Sequence, residues 1–178
     1  MKQNFTPILL TFALLFFALK THAQTQNKTE AWLESKLLLW LDKSAPISDN
    51  TTGGEVIGKG IAQVVVTETK NEGNVLTLRR NDNKASGYSI VLKNITAMEV
   101  EGNTVNIVTQ ENSVSFLGSF KKTPKKMEMI KVPMAYITLN NAENAKEVYK
   151  AIGRMAKTCG AKLVADDLFE ADEEKDKK

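Results

Sequence analysis

The chain has 178 residues, 42% of them hydrophobic and 25% charged, with a formal net charge of +3, one cysteine and one histidine. This length fits one domain whose core is large enough to be stable without disulfides, and a single cysteine excludes an internal disulfide. The basic excess is small and comes with no nucleic-acid-binding motif, so we do not expect binding to nucleic acid.

Residues 1–23 are typical of a secretory signal peptide. Lys2 gives a positive start, an apolar run covers residues 8–19, and a cleavage site of the small-residue type ends at Ala23. The run is shorter than the ~20 residues of a membrane-spanning helix. We therefore expect export to the periplasm or the extracellular space, with no transmembrane segment after cleavage, and an uncleaved anchor is the minor alternative. Cleavage would also remove His22, the only histidine.

Residues 24–164 are expected to form a single globular domain that begins with a helix over residues 29–43. Thr29 can cap the start of this helix, and Pro46 follows its end. Apolar side chains at helical spacing are expected to bury one broad face, namely Leu33, Leu37, Trp40 and Leu41, widened by Trp32, Leu38 and Leu39.

The pattern changes to strand period between residues 56 and 139. Segments such as "AQVVVTET", "VLTLRR" and "GYSIVLK" alternate apolar and polar residues, and short turns rich in Asn, Asp and Gly separate them. Seven short strands linked in this way predict an α+β fold built on an antiparallel barrel or sandwich. Pro133 marks a bend, a bulge or an edge position in the last strand region.

A second, amphipathic helix is predicted over residues 141–159. Asn141 can cap its start, and Gly160 stands where a left-handed C-terminal cap would be. Its apolar stripe consists of Ala142, Ala145, Tyr149, Ile152, Ala156 and Cys159. Residues 165–178 carry seven acidic side chains against three lysines, and we expect them to form a disordered acidic tail.

Seven antiparallel strands followed by one amphipathic helix resemble the pleckstrin-homology-like barrel, in which a helix closes one end of two nearly orthogonal sheets. The segment "YSIVLKNITAMEVEGNTVNIVTQ" resembles the bacterial and GRAM-type members, and the likeness covers roughly residues 56–159. The chain is also similar to a group of small exported bacterial proteins. Phosphoinositide-binding members carry a basic cluster in the first strand loop, which here is "KNEGN", so we do not expect inositol phosphate binding.

The stretch "GGEVIGKG" also resembles a strand start in exported bacterial domains of TATA-binding-protein-like fold, which is the alternative fold. It nearly matches the phosphate-binding loop G-x-x-x-x-G-K-[ST] through Gly53, Gly58 and Lys59. Gly60 replaces the hydroxyl residue that would hold magnesium, and a strand instead of a helix follows. We therefore interpret the stretch as a glycine-rich turn into the first strand and predict no cofactor.

Lys121, Lys122, Lys125 and Lys126 surround Pro124 between the sixth strand and the last. Such a cluster can attract an anionic lipid headgroup, an acidic glycan or an acidic protein, and it is the candidate partner-binding loop. Lysines at a loop tip also keep sheet edges soluble, so a solvated loop is the simpler interpretation.

The sequence predicts no catalytic or metal site. Without His22 the mature chain lacks the base of Ser-His-Asp and Cys-His catalysis and the commonest metal ligand. Glu99 and Glu101 share a strand face, but this spacing is ordinary at a solvated edge. Three methionines are interpreted as core side chains instead of copper ligands, namely Met127, Met129 and Met134.

Cys159 is interpreted as a structural thiol. It lies near the C-terminal end of a helix, where the helix dipole disfavours a thiolate, and it continues the apolar stripe. Its distance from the cleavage site excludes a lipid anchor of the lipoprotein type. A Cys159-linked dimer is the alternative that stays open.

These features favour an exported, non-catalytic binding or scaffold domain. Its partner would be a protein, a glycan or an anionic component of the envelope or the extracellular space. The alternative is a carrier whose barrel holds a small apolar ligand. An enzyme is not expected, because no catalytic constellation is present in the sequence.

Overall fold

The structure, a computed structural model, describes residues 28–44, 54–57, 60–80, 87–119 and 127–163. The expected signal peptide and acidic tail lie outside these residues. The described elements are α1 (28–40), β1 (Gly54–Ile57), β2 (Ile61–Thr69), β3 (Gly73–Arg80), β4 (Gly87–Val91), β5 (Ile95–Glu101), β6 (Thr104–Thr109), β7 (Val114–Ser119), β8 (Met127–Val132), β9 (Met134–Thr138) and α2 (Ala142–Thr158).

Five strands form an antiparallel sheet in the order β2-β3-β4-β7-β8. Residues two apart along a strand share a face, so the inner face of the sheet collects the apolar residues of each strand. Those of neighbouring strands lie opposite one another in rows. In one row Leu78 lies opposite Tyr88, which lies opposite Phe116. The rings of Tyr88 and Phe116 stack with their centroids 4.8 Å apart.

Four strands form the second sheet in the order β1-β9-β6-β5. β5, β6 and β9 are antiparallel neighbours, whereas β1 pairs with β9 in parallel. Val105, Ile107, Ala135 and Ile137 are fully buried and face the core. The alternate positions of the same strands face outward.

Along the described strands the chain passes from one sheet to the other four times: between β1 and β2, β4 and β5, β6 and β7, and β8 and β9. A 3-10 turn, Leu92–Asn94, leads from β4 to β5, a second, Gln110–Asn112, leads from β6 towards β7, and Pro133 separates β8 from β9. Thr109 ties two of these crossings together: its backbone N–H and its hydroxyl donate to the carbonyl of Pro133, at 2.7 and 3.0 Å. The same hydroxyl accepts from the backbone N–H of Ser113 at 3.2 Å.

Both helices pack on one core that the two sheets enclose. α1 buries Leu33 and Leu37, and α2 buries Tyr149 and Ile152, all in the same cluster as the inward side chains of the strands. α2 packs over β5 and β6. Burial of each large apolar side chain contributes ~1.5–3 kcal/mol, so this shared cluster dominates the stability of the fold.

The predicted α+β class and the mainly antiparallel pairing of the strands are confirmed, but the strand count is wrong. Gly54–Ile57, which we interpreted as part of a turn, is the parallel strand β1. The last predicted strand is two strands, because Pro133 divides it between the sheets. Among the described strands none pairs from one sheet to the other, so they form two open sheets and not a closed barrel.

The helix boundaries also differ from the prediction. The described part of α1 covers residues 28–40, so Thr29 lies inside the helix and not at its cap. Backbone hydrogen bonds from Asp42 to Thr138 and from Asn140 to Trp40, both of 2.8 Å, replace the last predicted turn. The predicted caps of α2 are confirmed, since the Asn141 side chain accepts from the backbone N–H of Asn144 at 2.8 Å and Gly160 has a φ of +89°.

Candidate functional site

A cleft of about 340 Å³ lies between α1 and α2. It is lined by two helix faces, and these consist of Lys28, Thr29 and Trp32 from α1 and Glu147, Lys150, Ala151 and Arg154 from α2. In both helices the lining positions are spaced three and four residues apart, which places them on one side of the helix. The cleft is therefore built from ordinary helical geometry, and the shared core fixes the two helices relative to one another.

Trp32 forms the apolar wall of the cleft. Its side chain is half-buried and packs against the core, so its position is restricted. It also makes an edge-to-face contact with Trp40, with the ring centroids 5.4 Å apart at 78°. The ammonium group of Lys36 lies 5.6 Å from the centre of the Trp40 ring. The indole of Trp32 is therefore held by the core and by the ring of Trp40. Its remaining surface faces the cleft.

Charge in the cleft is predominantly positive. Lys28, Lys150 and Arg154 contribute three cations and Glu147 contributes one carboxylate. The Lys150 ammonium lies 3.9 Å from the Glu147 carboxylate, with 30% and 50% of the two side chains exposed. An ion pair of this exposure contributes ~0–1 kcal/mol, so it holds the lysine only weakly. The lining can therefore attract a phosphate, sulfate or carboxylate group.

Two other carboxylates of α1 are bound to the five-stranded sheet. Glu30 accepts a hydrogen bond of 3.0 Å from the side-chain amide of Asn74, and Glu34 accepts one of 2.9 Å from the backbone N–H of Val66. Val66 lies in β2, the strand at one edge of that sheet. These bonds anchor the helix that carries Trp32.

The predicted lysine loop lies outside the described residues. Lys121, Lys122, Lys125 and Lys126 fall between β7 and β8 in the chain, and their role as an anion-binding loop stays a prediction. The interpretation of Met129 as a core side chain is wrong, because it is 62% exposed on β8, and Met134 lies on β9 in the other sheet.

Cys159 is the C-cap residue of α2. Its side chain is half-buried and packs against the core. Burial raises the pKa of the thiol above its ordinary value, and the carboxylates of Glu30 and Glu68 raise this pKa further. The thiol is therefore neutral near pH 7, which favours the structural interpretation over a nucleophile.

One of the two carboxylates expected on one strand face, Glu99, has a structural partner. Glu99 accepts a hydrogen bond of 2.9 Å from the side-chain amide of Asn106, which lies opposite it on β6 and is 7% exposed. Glu101 is the last residue of the same strand and is exposed. Within the described part of the chain, no three carboxylate, thiol or imidazole groups are close enough to hold a metal ion.

The cleft was not predicted from the sequence. Trp32 was interpreted as core, and the polar residues of α2 were not considered as a site. A signal was present, since Glu147, Lys150 and Arg154 recur at i, i+3 and i+7 on the polar face of α2. That signal is common to most solvated helices, and only the position of α1 beside it turns the polar face into a cleft.

Comparison with known proteins adds no assignment. No family model matches the chain, and neither a curated protein nor a solved structure matches it with significance. None of the helices in the described ranges is both long enough and apolar enough to cross a bilayer.

Proposed function

We propose that the chain is an exported, non-catalytic binding domain that holds an anionic group of an envelope or extracellular partner in the interhelical cleft. The observation that carries this proposal is the convergence of three cations and one indole, from two helices, on the same concave surface. Export is supported by the signal-peptide pattern of residues 1–23.

The composition of the cleft favours a ligand with a charged group next to an apolar or ring-shaped part. Lys28, Lys150 and Arg154 can contact the charge, while Trp32 offers its half-buried ring to the remainder. Because the cations are solvated, each contact is worth ~0.2–1 kcal/mol. Binding should therefore be of moderate affinity and should weaken as the salt concentration rises.

We also propose that the fold is an open relative of the pleckstrin-homology-like barrel. Two features support this: four crossings carry the chain between two sheets, and the last helix packs on the core directly after the last strand. The parallel strand β1 and the helix α1 depart from the pattern. The carrier of an apolar ligand stays the alternative function, although the charged lining of the cleft does not favour it.

The test compares two variants that lose the same charge. K28Q/K150Q/R154Q removes the cations of the cleft, and K43Q/K70Q/K131Q removes three exposed lysines elsewhere. The probes are vesicles of phosphatidylglycerol with phosphatidylcholine, vesicles of phosphatidylcholine alone, and alginate as an acidic polysaccharide. At low salt we expect the cleft variant to raise the Kd for an anionic probe about tenfold, which is the sum of three such weak contacts, and the control variant to change it less than twofold.

The two anionic probes distinguish a lipid headgroup from an acidic glycan as the partner. Equal losses in the cleft and control variants would show that net charge alone drives binding, and would overturn the proposal. A third variant, K121Q/K122Q/K125Q/K126Q, tests the lysine loop in the same assay. Full binding by this variant, insensitive to salt, would remove the loop from the binding surface.

A further inference from the structure

The interhelical cleft is basic, and the last fourteen residues of the chain are acidic. Residues 165–178 carry seven carboxylates and three lysines, a net charge of −4, whereas the lining of the cleft has a net charge of +2. The exposed Lys157 lies three residues beyond Arg154 on α2 and adds a further cation. This inference rests on the same cleft as the proposed function, but it concerns a different occupant.

The end of α2 fixes the point from which the acidic segment departs. The backbone N–H of Gly160 donates to Lys157 at 3.0 Å, and that of Ala161 donates to Ala156 at 2.9 Å. With Gly160 at positive φ this pair of bonds is the Schellman motif, in which the chain turns away from the helix axis. Leu163 then packs against the core, so the segment begins beside the helix that supplies half of the cleft.

The segment is long enough to reach the cleft. Arg154 lies five residues before Cys159, which corresponds to ~7.5 Å along the helix axis. The seven residues from Leu163 to Glu170 extend up to ~23 Å, so Asp166, Asp167 and Glu170 can all meet the cations. A segment attached this closely has an effective concentration on the order of millimolar, which compensates for the weakness of each solvated ion pair.

The order of residues in the segment also matches the lining. Leu168 and Phe169 stand between the carboxylates of Asp167 and Glu170. The half-buried ring of Trp32 lies beside the cations in the cleft. The carboxylates of the segment can therefore contact the cations of the cleft while Leu168 and Phe169 contact the ring of Trp32.

We propose that residues 165–178 occupy the interhelical cleft as an intramolecular competitor of the anionic partner. Glu30 and Glu147 are the carboxylates that oppose this contact from α1 and α2, and the cations outnumber them. An external anionic group must displace the segment before it binds. The observed affinity is then lower than that of the open cleft.

The direct test uses the unmodified chain and needs no external ligand. A carbodiimide joins carboxylates to lysine ammonium groups that are already in contact, and mass spectrometry of the monomer identifies the joined residues. We expect bonds from the acidic segment to Lys28 and Lys150 at several times the yield of bonds to Lys43 and Lys131, which are exposed elsewhere. One molar salt should abolish this preference, because it screens solvated charges. Equal yields at all four lysines, or a preference for the lysine loop, would overturn the proposal.

A second measurement tests the competition. A full-length variant in which the seven carboxylates of the segment are replaced by amides keeps the chain length but loses the charge, namely D166N/D167N/E170Q/D172N/E173Q/E174Q/D176N. We expect it to bind phosphatidylglycerol vesicles at least fivefold more tightly than the unmodified chain does. When K28Q/K150Q/R154Q is added, this gain should disappear. Cross-links to the cleft, with no binding of the amide variant to either phosphatidylglycerol vesicles or alginate, would leave the segment contact standing and refute the proposed function. Binding of either probe through the cleft without such cross-links would do the reverse.

Discussion

Cys159 carries the one thiol of the chain. It is the C-cap residue of α2, and its side chain is half-buried. Burial raises the pKa of this thiol first, and Glu30 and Glu68 raise it further. The folded protein therefore holds the thiol proton more tightly than the unfolded chain does. Below the ordinary thiol pKa this difference has no effect, and as the pH rises above that value the folded state is progressively disfavoured.

This shift predicts slow alkylation of Cys159. At pH 7.5 iodoacetamide should react with the folded protein at least ~10-fold more slowly than with the chain in guanidinium, because the reactive thiolate is scarce and partly covered. The variant E30Q/E68Q removes the two nearby charges and should move the pH profile of the rate downward. Its profile should stay above that of the unfolded chain, because burial is the larger cause.

The glutamine at position 30 is a matched change, since its amide oxygen can still accept the hydrogen bond from Asn74. A fast reaction at pH 7.5, or a profile unchanged in E30Q/E68Q, would contradict this account of the thiol. Migration on a non-reducing gel tests the Cys159-linked dimer, which stays a prediction. With the thiol neutral and half-buried, we expect monomer.

At the scale of elements, α1 protects one edge of the five-stranded sheet. Among the described strands β2 pairs with β3 only, and unpaired backbone groups at a sheet edge are a template for pairing with another chain. Glu34 of α1 accepts from the N–H of Val66 on that edge. The helix thus contributes a wall of the cleft and a cap of the sheet edge at the same time.

The variants E34A and E34Q test whether the carboxylate of Glu34 protects the sheet edge. E34A removes the acceptor of a partly buried N–H and should lower the free energy of unfolding by ~1.5–3 kcal/mol, whereas E34Q keeps an acceptor and should cost ~1 kcal/mol or less. The specific readout is hydrogen exchange of the Val66 amide, which should become faster in E34A only. Equal exchange of this amide in both variants would show that the carboxylate does not protect the edge.

The helices show which element-scale predictions a single sequence supports. The capping of α2 by Asn141 and Gly160 was predictable because both caps depend on neighbouring residues in the chain. Leu39 was expected on the buried face of α1 but is 67% exposed, and Ala142 on the expected stripe of α2 is exposed too. Helical period gives the direction of a face but not its width, which depends on how closely the neighbouring elements pack.

At the scale of the whole molecule, four crossings join the two sheets, and Thr109 links two of them, β6 to β7 and β8 to β9. Thr109 is 4% exposed, and its hydroxyl bonds with the carbonyl of Pro133 and the backbone N–H of Ser113. Asn94 extends the contact to the crossing from β4 to β5, since its side-chain amide donates to the hydroxyl of Ser113 at 2.8 Å. A small polar network therefore links the crossings from β4 to β5, from β6 to β7 and from β8 to β9.

The variant T109V tests this network. Valine keeps the shape of threonine but removes the hydroxyl that accepts from the partly buried backbone N–H of Ser113. We therefore expect the free energy of unfolding, measured with guanidinium, to fall by ~1–3 kcal/mol. T77V is the matched control, because Thr77 lies on the outward face of β3, where the same change should stay within ~0.5 kcal/mol. Similar losses of unfolding free energy in T109V and T77V would show that the Thr109 hydroxyl does not stabilise the crossings.

The sequence by itself determined the α+β class, the existence of both helices, the caps of α2 and most strand positions, because each depends on residues close together in the chain. It did not determine how the strands divide into two sheets. Pro133 was marked as a bend, but only its place between β8 and β9 showed that the bend changes sheets, and the four-residue β1 became a strand only through its pairing with β9. The tertiary structure alone decided the cleft, since Trp32 and Arg154 lie more than a hundred residues apart and the shared core brings their helices together.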